Sequence, residues 1–344
     1  MGGAVVGRLG AQDASGRAGR PGGAPAPNGC PVSEGVRGCP GGYTGPGKGW
    51  ARVVTFLQQL ANALQLGGIY ALIALGYTMV YGVLKLINFA HGDIFMVACF
   101  IGLFVAVYLK LPLAAVLVLT MLATALLGVL IERVAYKPLR NAPRMSLVIT
   151  ALGVGLFLEN FVRATVGAAP QNFPSLVGGA TWNLGGVTVG SVQLTIVGVS
   201  VALMALLRYV VMRTLLGKAM RAIADNREVV GLLGINPDRV ITATFAIGSA
   251  LAAAGGILVA QAYPVIEPYM GILIGWKAFI AAVLGGIGLV DGAMLGGFLL
   301  GLTEVFVAAY LPSTFRDGIA FAILILVLLV RPTGLLGRPL STKV

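Results

Sequence analysis

Long apolar runs separated by short polar connections make up most of the chain, from about Phe56 to Val330. Runs of roughly 18–20 residues match the length of α-helix that crosses the hydrocarbon part of a bilayer. The alternation typical of membrane β-barrel strands is absent, so we expect an all-α polytopic membrane protein. The predicted spans cover residues 57–84, 94–109, 111–131, 146–163, 191–211, 240–262, 272–289, 292–310 and 317–330. Because the first run contains a Gly-Gly pair and the last run is short, the sequence predicts about 8–10 transmembrane helices.

Composition agrees with this class, since 58% of the residues are hydrophobic and only 10% are charged. A soluble domain typically has about a quarter of its residues charged. The net charge of +12 is concentrated in particular connections between apolar runs. These basic residues are Arg133, Lys137, Arg140 and Arg144, then Arg208, Arg213, Lys218, Arg221, Arg227 and Arg239, and finally Arg331, Arg338 and Lys343. The alternate connections hold Lys110, Arg163 and Arg316 singly, so the asymmetry predicts that the basic loops face the cytoplasm and argues against a nucleic-acid partner.

Residues 1–52 differ from the rest because Gly, Pro, Ala and Arg dominate them. Such a segment cannot bury a core, so we expect a disordered tail ahead of a membrane domain at 53–341. We also expect translation to start near Val53 or Val54 on a non-Met codon, which terminal mass measurement would test. The tail's "GYTGPGK" has the spacing of a phosphate-binding loop, but Gly49 follows where Ser or Thr is needed for magnesium. The chain is therefore expected to bind no nucleotide or other cofactor itself.

The sequence offers few candidate residues for catalysis or metal binding. His91 is the only histidine, and Cys30, Cys39 and Cys99 lack the spacing of a zinc site or a disulfide framework. No acyl-transfer triad can be built around one histidine placed between two apolar runs. We therefore expect a protein that is not an enzyme and holds no metal.

The histidine lies in "LINFAHGDIF", between the first two predicted spans. Asn88 is suited to satisfy free backbone N–H groups at a helix start, and Asp93 suits the first turn of the next helix. Gly92 is expected to permit a sharp bend. We expect the stretch to form the short cytoplasmic connection or a re-entrant dip, with capping and gating favoured over substrate contact for Asn88, His91 and Asp93.

A few charged residues fall inside the spans, where each needs a partner or a wet cavity. Glu159 and Arg163 are four residues apart on one predicted helix, so we expect them to pair. Glu304 and Lys277 lie in neighbouring spans. They either pair or line a path, and the sequence leaves both readings open.

Small residues recur at four-residue spacing in the later spans, in Gly292/Gly296, Gly297/Gly301 and Ala250/Ala254. In lipid, helices associate by close backbone approach rather than by a hydrophobic force. These patterns therefore predict tight helix contacts.

The longest polar segment is the loop 212–239 between two spans. Apolar and charged residues alternate from Lys218 to Leu233 in a way that predicts one short amphipathic helix. Gly234 is a suitable stop, and Asn236 with Pro237 is suited to start the next span. A helix lying on anionic lipid is one interpretation, but the mixed charge favours docking to a cytosolic partner.

Four stretches resemble permeases for branched-chain, hydrophobic amino acids, and the loop 212–239 resembles the coupling loop of ATP-binding-cassette import permeases. Together they fall within about residues 54–341, and they match the shorter of the two permease subunits of such systems. The stretches are "LQLGGIYALIALGYTMVYGVLKLINFAHGDIFM", "IERVAYKPLRNAPR", "GKAMRAIADNREVVGLLGINPDRVI" and "LILVLLVRPTGLLGRP".

The resemblance implies an importer permease bundle with a cytoplasmic coupling helix, placed in the bacterial cytoplasmic (inner) membrane. It implies a second, different permease subunit, two cytosolic ATPase subunits that bind ATP and magnesium, and an extracytoplasmic substrate-binding protein. On this basis the ATPase-coupling candidates are Gly217, Arg221, Ala222, Asp225, Asn226 and Gly231. The candidates for the translocation path or its gate are Asn88, His91, Asp93, Lys277 and Glu304.

Other functions remain open at the level of the sequence. A permease of the same type could carry another small polar solute such as an amide, urea, a sugar or a nucleoside. A single-chain secondary transporter would need an ion-coupling acid, for which Glu304 is the best-placed residue. A non-transporting membrane scaffold would show no dependence on a binding protein.

Overall fold

The computed structural model describes residues 48–140 and 142–337, without the side chains of Lys48, Arg144, Glu228 and Val229. The predictions for residues 1–47, and the predicted basic residues Arg338 and Lys343, lie outside the described residues.

Eleven helices follow one another in the described part of the chain. They are α1 Lys48–Leu84, α2 His91–Leu109, α3 Leu113–Ile131, α4 Arg144–Thr165, α5 Ser191–Arg213, α6 Leu215–Asp225, α7 Arg227–Leu232, α8 Pro237–Ala262, α9 Met270–Gly285, α10 Val290–Tyr310 and α11 Phe315–Val330. A π-helical turn, Glu132–Tyr136, continues α3. Four short strands form two antiparallel pairs, β1 Gln171–Asn172 with β4 Val265–Ile266, and β2 Thr181–Leu184 with β3 Val187–Gly190.

Each predicted span coincides with a helix, which confirms the all-α polytopic membrane class. Among the described residues, seven helices are long and apolar enough to cross a bilayer. The remaining two helices that match predicted spans, α9 and α11, have 16 residues each. At 1.5 Å per residue such a helix is about 24 Å long, shorter than the roughly 30 Å hydrocarbon core.

Helix α10 packs between α1 and α9 through glycines on two of its faces. Gly297 and Gly301 lie directly on the α1 backbone at Ala71 and Gly67, with no room for a Cβ atom. On the other face, Gly292 and Gly296 meet the α9 backbone in the same way. The predicted tight helix contacts are confirmed here, and no interlocking side chains separate the three helices at these points.

The connection from α1 to α2 turns back into the bundle. Lys85, just after α1, has a left-handed φ of 56°. His91, the first residue of α2, lies against Gly76, eight residues before the end of α1. At 1.5 Å per residue this is about 12 Å back along α1. Helix α2 therefore begins inside the bundle, as the re-entrant alternative expected.

The prediction for Gly92 is wrong. The chain turns at Lys85, whereas Gly92 is an ordinary helical residue in the first turn of α2. Its missing side chain lets the backbone of α9 approach at Gly271 and Gly275. A bend and a close helix crossing both favour glycine, so the sequence alone does not separate them.

The predicted amphipathic helix from Lys218 to Leu233 is also wrong in detail, because the segment forms two helices, α6 and α7. The chain is extended at Asn226, with φ −154° and ψ 107°. Asparagine competes with helical hydrogen bonding through its side chain, which favours a break there. Both predicted boundaries that follow hold: Gly234 adopts φ 79°, and the Asn236 side chain accepts the N–H groups of Asp238 and Arg239 at the start of α8.

Candidate functional site

Asn88 fixes the start of α2 within the bundle. Its Oδ1 accepts the backbone N–H of Ala90 at 3.1 Å and the hydroxyl of Tyr136 at 2.6 Å. Its backbone oxygen accepts the N–H of His91 at 3.1 Å. One buried side chain thus holds the turn just before α2 and ties it to the π-helical turn after α3. The bonded N–H belongs to Ala90, which precedes the helix, so the first turn of α2 has no side-chain cap and the capping prediction is wrong in detail.

His91 is buried, with 1% of its surface exposed. Its ring lies edge-on to Tyr77, with 4.6 Å between ring centroids, and it also meets Gly76 and the backbone of Ile73. No described residue forms a hydrogen bond with Nε2. The surroundings are those of a packed interior ring, without a nucleophile in reach.

Asp93 lies in the first turn of α2, packed on Gly155 of α4. It interacts with the neighbouring carboxylate of Glu159. The predicted pair between Glu159 and Arg163 is wrong: Arg163 donates to Asn160 at 3.3 Å and lies 5.1 Å from the ring centre of Tyr269. Four-residue spacing makes a pair possible on a helix, but the ring and the amide hold the guanidinium elsewhere.

Lys277 and Glu304, for which the sequence allowed two roles, form a buried ion pair between α9 and α10. The lysine Nζ lies 3.1 Å from Oε1 and 3.2 Å from Oε2 of Glu304. The hydroxyl of Tyr70 donates to Oε2 at 3.0 Å, and Asp317 Oδ1 lies 2.8 Å from the lysine. Tyr70 and Asp317 were missed because they lie in distant spans and share no local pattern with the pair.

A recess of about 390 Å³ lies between α1, α10 and the end of α8, and none of the residues of the ion pair lines it. Its polar lining comes mainly from Gln59, Asn62 and Gln65 on α1 and from Arg316 at the start of α11. These residues lie at the end of the bundle away from the basic loops, which we call the opposite end. The basic end is where Arg208 of α5 pairs with Asp291 of α10, at 3.0 Å.

The six coupling candidates lie at the basic end, in different environments. Gly217 is buried against the carbonyl groups at the end of α5 and has no room for a side chain. Arg221 is exposed and donates to the carbonyl of Val211. Ala222 is half-buried, whereas Asp225, Asn226 and Gly231 are exposed. Nothing lies within 4 Å of the position where a Cβ would stand on Gly231.

A network of charges joins these helices to the bundle. Arg140 contacts both the fully buried Glu132 and Asp238, and Thr242 donates to Glu132 at 2.8 Å. Asp238 also lies 3.2 Å from Lys137 and 3.7 Å from Arg227 of α7. We call Glu132, Arg140 and Asp238 the hinge network. Sequence reasoning missed it because Asp238 belongs to a different loop of the sequence from Glu132 and Arg140.

Metal-binding side chains do not cluster within residues 48–140 and 142–337, where no group of three or more His, Cys, Asp or Glu could hold an ion. Three polar sites found there are the Asn88 contacts before α2, the Lys277–Glu304 pair and the hinge network. All three can position helices relative to one another.

Residues 59–328 match the family described as "Branched-chain amino acid transport system / permease component". The chain is 44% identical over 302 residues to the high-affinity branched-chain amino acid transport system permease protein LivH of Escherichia coli K12, covering 84% of this chain and 98% of that protein. The values are the same for BraD of Pseudomonas aeruginosa. A probable LivH of Methanocaldococcus jannaschii is 30% identical, with 81% and 91% covered.

Among solved structures, PsaBC from Streptococcus pneumoniae in complex with Fab overlaps with a TM-score of 0.46 at 13% identity, covering 83% of this chain and 96% of that chain. The family match spans most of the bundle from α1 to α11, including the Asn88 contacts before α2, the Lys277–Glu304 pair and the hinge network. The chain belongs to the family of branched-chain amino acid transport system permease components.

Proposed function

We propose that this chain is a permease subunit of an ATP-binding-cassette importer that moves branched-chain amino acids across the bacterial inner membrane. The names of the relatives support the substrate class. The complex would contain a second permease subunit, two cytosolic ATPase subunits and an external substrate-binding protein. The basic end faces the cytoplasm in this arrangement, in line with the distribution of positive charge.

The observation that carries the coupling mechanism is the surface formed by α6 and α7 at the basic end. Arg221, Asp225 and Gly231 are exposed there, and Leu232 is 87% exposed. An exposed leucine among charges of both signs suits a protein partner better than a purely anionic lipid surface. We assign this α6–α7 surface to the ATPase.

Movement of that surface can reach the bundle through the hinge network. Arg227 at the start of α7 lies close to Asp238 at the start of α8, and Arg140 connects Asp238 to the end of α3. The exposed Arg227 contact is weak on its own, while the buried Arg140–Glu132 contact is costly to break. ATPase closure would therefore shift α3 and α8 together and bias the bundle between inward-facing and outward-facing states.

The test uses the complete transporter reconstituted in proteoliposomes, with ATP inside the compartment that holds the ATPases. Gly231→Trp places a bulky side chain into space that the chain itself leaves empty. We expect it to abolish leucine uptake and to uncouple ATP hydrolysis from transport, with the protein still present in the membrane. Gly198→Trp is the matched control, because Gly198 is an exposed helical glycine of α5 that also has nothing within 4 Å.

Normal uptake by the Gly231→Trp transporter would refute the assignment of the α6–α7 surface. Substrate class is tested in the same vesicles with labelled leucine, isoleucine, valine, an amide, urea and a sugar. Uptake that survives ATP depletion but collapses with an ion gradient would instead establish a secondary transporter.

A further inference from the structure

A pocket of about 210 Å³ lies between α1, α2, α4 and α9, apart from the recess at the opposite end. This volume is well over ten times the roughly 10–15 Å³ that one water molecule requires. We call it the α4–α9 pocket. Its lining combines two carboxylates, Asp93 and Glu159, with a wall of aromatic rings and an apolar rim.

The two carboxylates have no cationic partner among the described residues. Glu159 is only 5% exposed, and it interacts electrostatically with the carboxylate of Asp93. Arg163, one turn further along α4, is held by Asn160 and the ring of Tyr269 instead. Two neighbouring carboxylates repel each other, and burial deprives them of water. The two carboxylates therefore need a positive charge that the described residues do not supply.

The aromatic wall also suits a positively charged group. Phe89 lies 5.9 Å from Trp276 and 6.2 Å from Phe279, and Tyr77 lies 6.1 Å from Phe279, measured between ring centroids. Faces of such rings attract ammonium cations within about 6 Å. Leu152, Leu156 and Ile272 on the rim provide apolar surface next to the charged part.

Two helices also begin at this pocket, since Gly92 and Asp93 of α2 and Gly271 and Ile272 of α9 line it. The first turn of a helix presents unpaired N–H groups and a partial positive charge. The N–H of Ile272 already donates to Tyr269, and the backbone of Gly92 is hydrogen-bonded to Tyr77. The partial positive charge of the two helix starts therefore suits a carboxylate nearby, while an ammonium group meets Asp93 and Glu159. The arrangement matches a zwitterion that has an apolar side chain.

The mouth of the pocket opens on the surface of the chain, where Leu152, Leu156 and Trp276 are exposed. Carboxylates without partners are costly next to lipid and normally face the interior of a bundle or a wet cavity. The face formed by α4 and α9 is therefore expected to meet another protein chain or a water-filled path. In the proposed complex the second permease subunit provides that cover.

We propose that the α4–α9 pocket is a substrate site on the translocation path, in which Asp93 and Glu159 bind the α-ammonium group of the amino acid. The apolar side chain of the substrate then lies on Leu152, Leu156 and Ile272. This inference rests on the proposed function and adds to it the groups that recognise the substrate. It also gives Asp93 a partner within the path.

The first experiment is photolabelling of the complete reconstituted transporter with a diazirine analogue of leucine, followed by peptide mapping. We expect label on α4 or α9, close to Leu156 or Ile272. Leucine and 3-methylbutylamine, which both have the ammonium group, should protect this site. 4-Methylpentanoate, which has the same apolar chain and a carboxylate only, should not. Equal protection by 4-methylpentanoate, or label confined to other helices, would overturn the proposal.

The second experiment compares Glu159→Gln and Asp93→Asn with Glu267→Gln, an exposed acid at the opposite end that serves as control. Each pocket variant should lower labelling about tenfold or more, equivalent to about 1.4 kcal/mol. Leucine uptake should fall, whereas ATP hydrolysis persists because the α6–α7 surface is unchanged. Control-level labelling and uptake in both pocket variants would refute the site.

The two proposals fail in different ways. If the unaltered transporter does not import leucine, the proposed function is wrong. If it imports leucine and the pocket variants do so equally well, only the assignment of the pocket is wrong.

Discussion

The buried ion pair between Lys277 and Glu304 gives a specific prediction, because each residue retains different contacts when its partner is replaced. Glu304 is 0% exposed, and Lys277 is the only cation that the described residues place against it. Lys277→Met leaves this carboxylate with the Tyr70 hydroxyl alone. Breaking a buried pair in this way costs about 3–5 kcal/mol, because one charge stays buried without compensation.

The reverse substitution should cost less. In Glu304→Gln the lysine retains Asp317 at 2.8 Å, and the new amide can still accept from Tyr70. We expect about half the loss of Lys277→Met, since a hydrogen bond to a charged group contributes about 1.5–3 kcal/mol. The double variant Lys277→Met/Glu304→Met removes both charges, and it should be more stable than Lys277→Met alone.

Thermal unfolding in detergent measures these losses of stability, with reaction of Cys99 with a thiol-reactive dye as the signal. Cys99 is free and buried, so it reacts when the bundle opens. The two cysteines of the tail, Cys30 and Cys39, are replaced by Ser in every variant. At roughly 2 °C per kcal/mol, a value for large domains, Lys277→Met should lower Tm by about 6–10 °C. Equal losses for the two single variants, or no recovery in the double variant, would refute the reasoning.

Two further predictions concern packing. Gly297→Leu should prevent stable assembly of the bundle, because a side chain there meets the backbone of Ala71 and overpacking costs at least about 1–3 kcal/mol. Gly198→Leu, with open space around it, should match wild type in membrane abundance and Tm. His91→Ala should lower uptake modestly through the lost contact with Tyr77, with unchanged apparent affinity for leucine in transport assays, and a changed preference among ligands would contradict this.

The membrane helices could be predicted from the sequence because the hydropathy of a segment depends on its own residues and not on their tertiary contacts. The glycine contacts of α10 were predictable for a related reason. In lipid, a repeated small residue has few uses besides close helix approach. The break at Asn226 was not predicted, since the apolar pattern continues on both sides of it and only the local backbone conformation changes.

The polar contacts were harder to predict because their partners are far apart in the chain. Glu132 is joined to Asp238 through Arg140 and Thr242, and Glu304 shares Lys277 with a residue on α11. Spacing on one helix suggested Glu159 and Arg163 as a pair, yet each side chain faces a different neighbouring helix. Local spacing gives the contacts that are possible, while tertiary packing selects among them.

The glycine contacts between α1, α9 and α10 have a consequence for how a molecule of this kind can work. Where backbone lies on backbone, the separation of the helices is set by peptide geometry and cannot be altered by a change of rotamer. Elements joined in this way are expected to keep their spacing while neighbours held by longer side chains rearrange. In mechanical terms, α1 and α10 with the glycine-packed end of α9 are expected to behave as one rigid unit, and α8 meets α1 in the same way at Gly76 and Gly248.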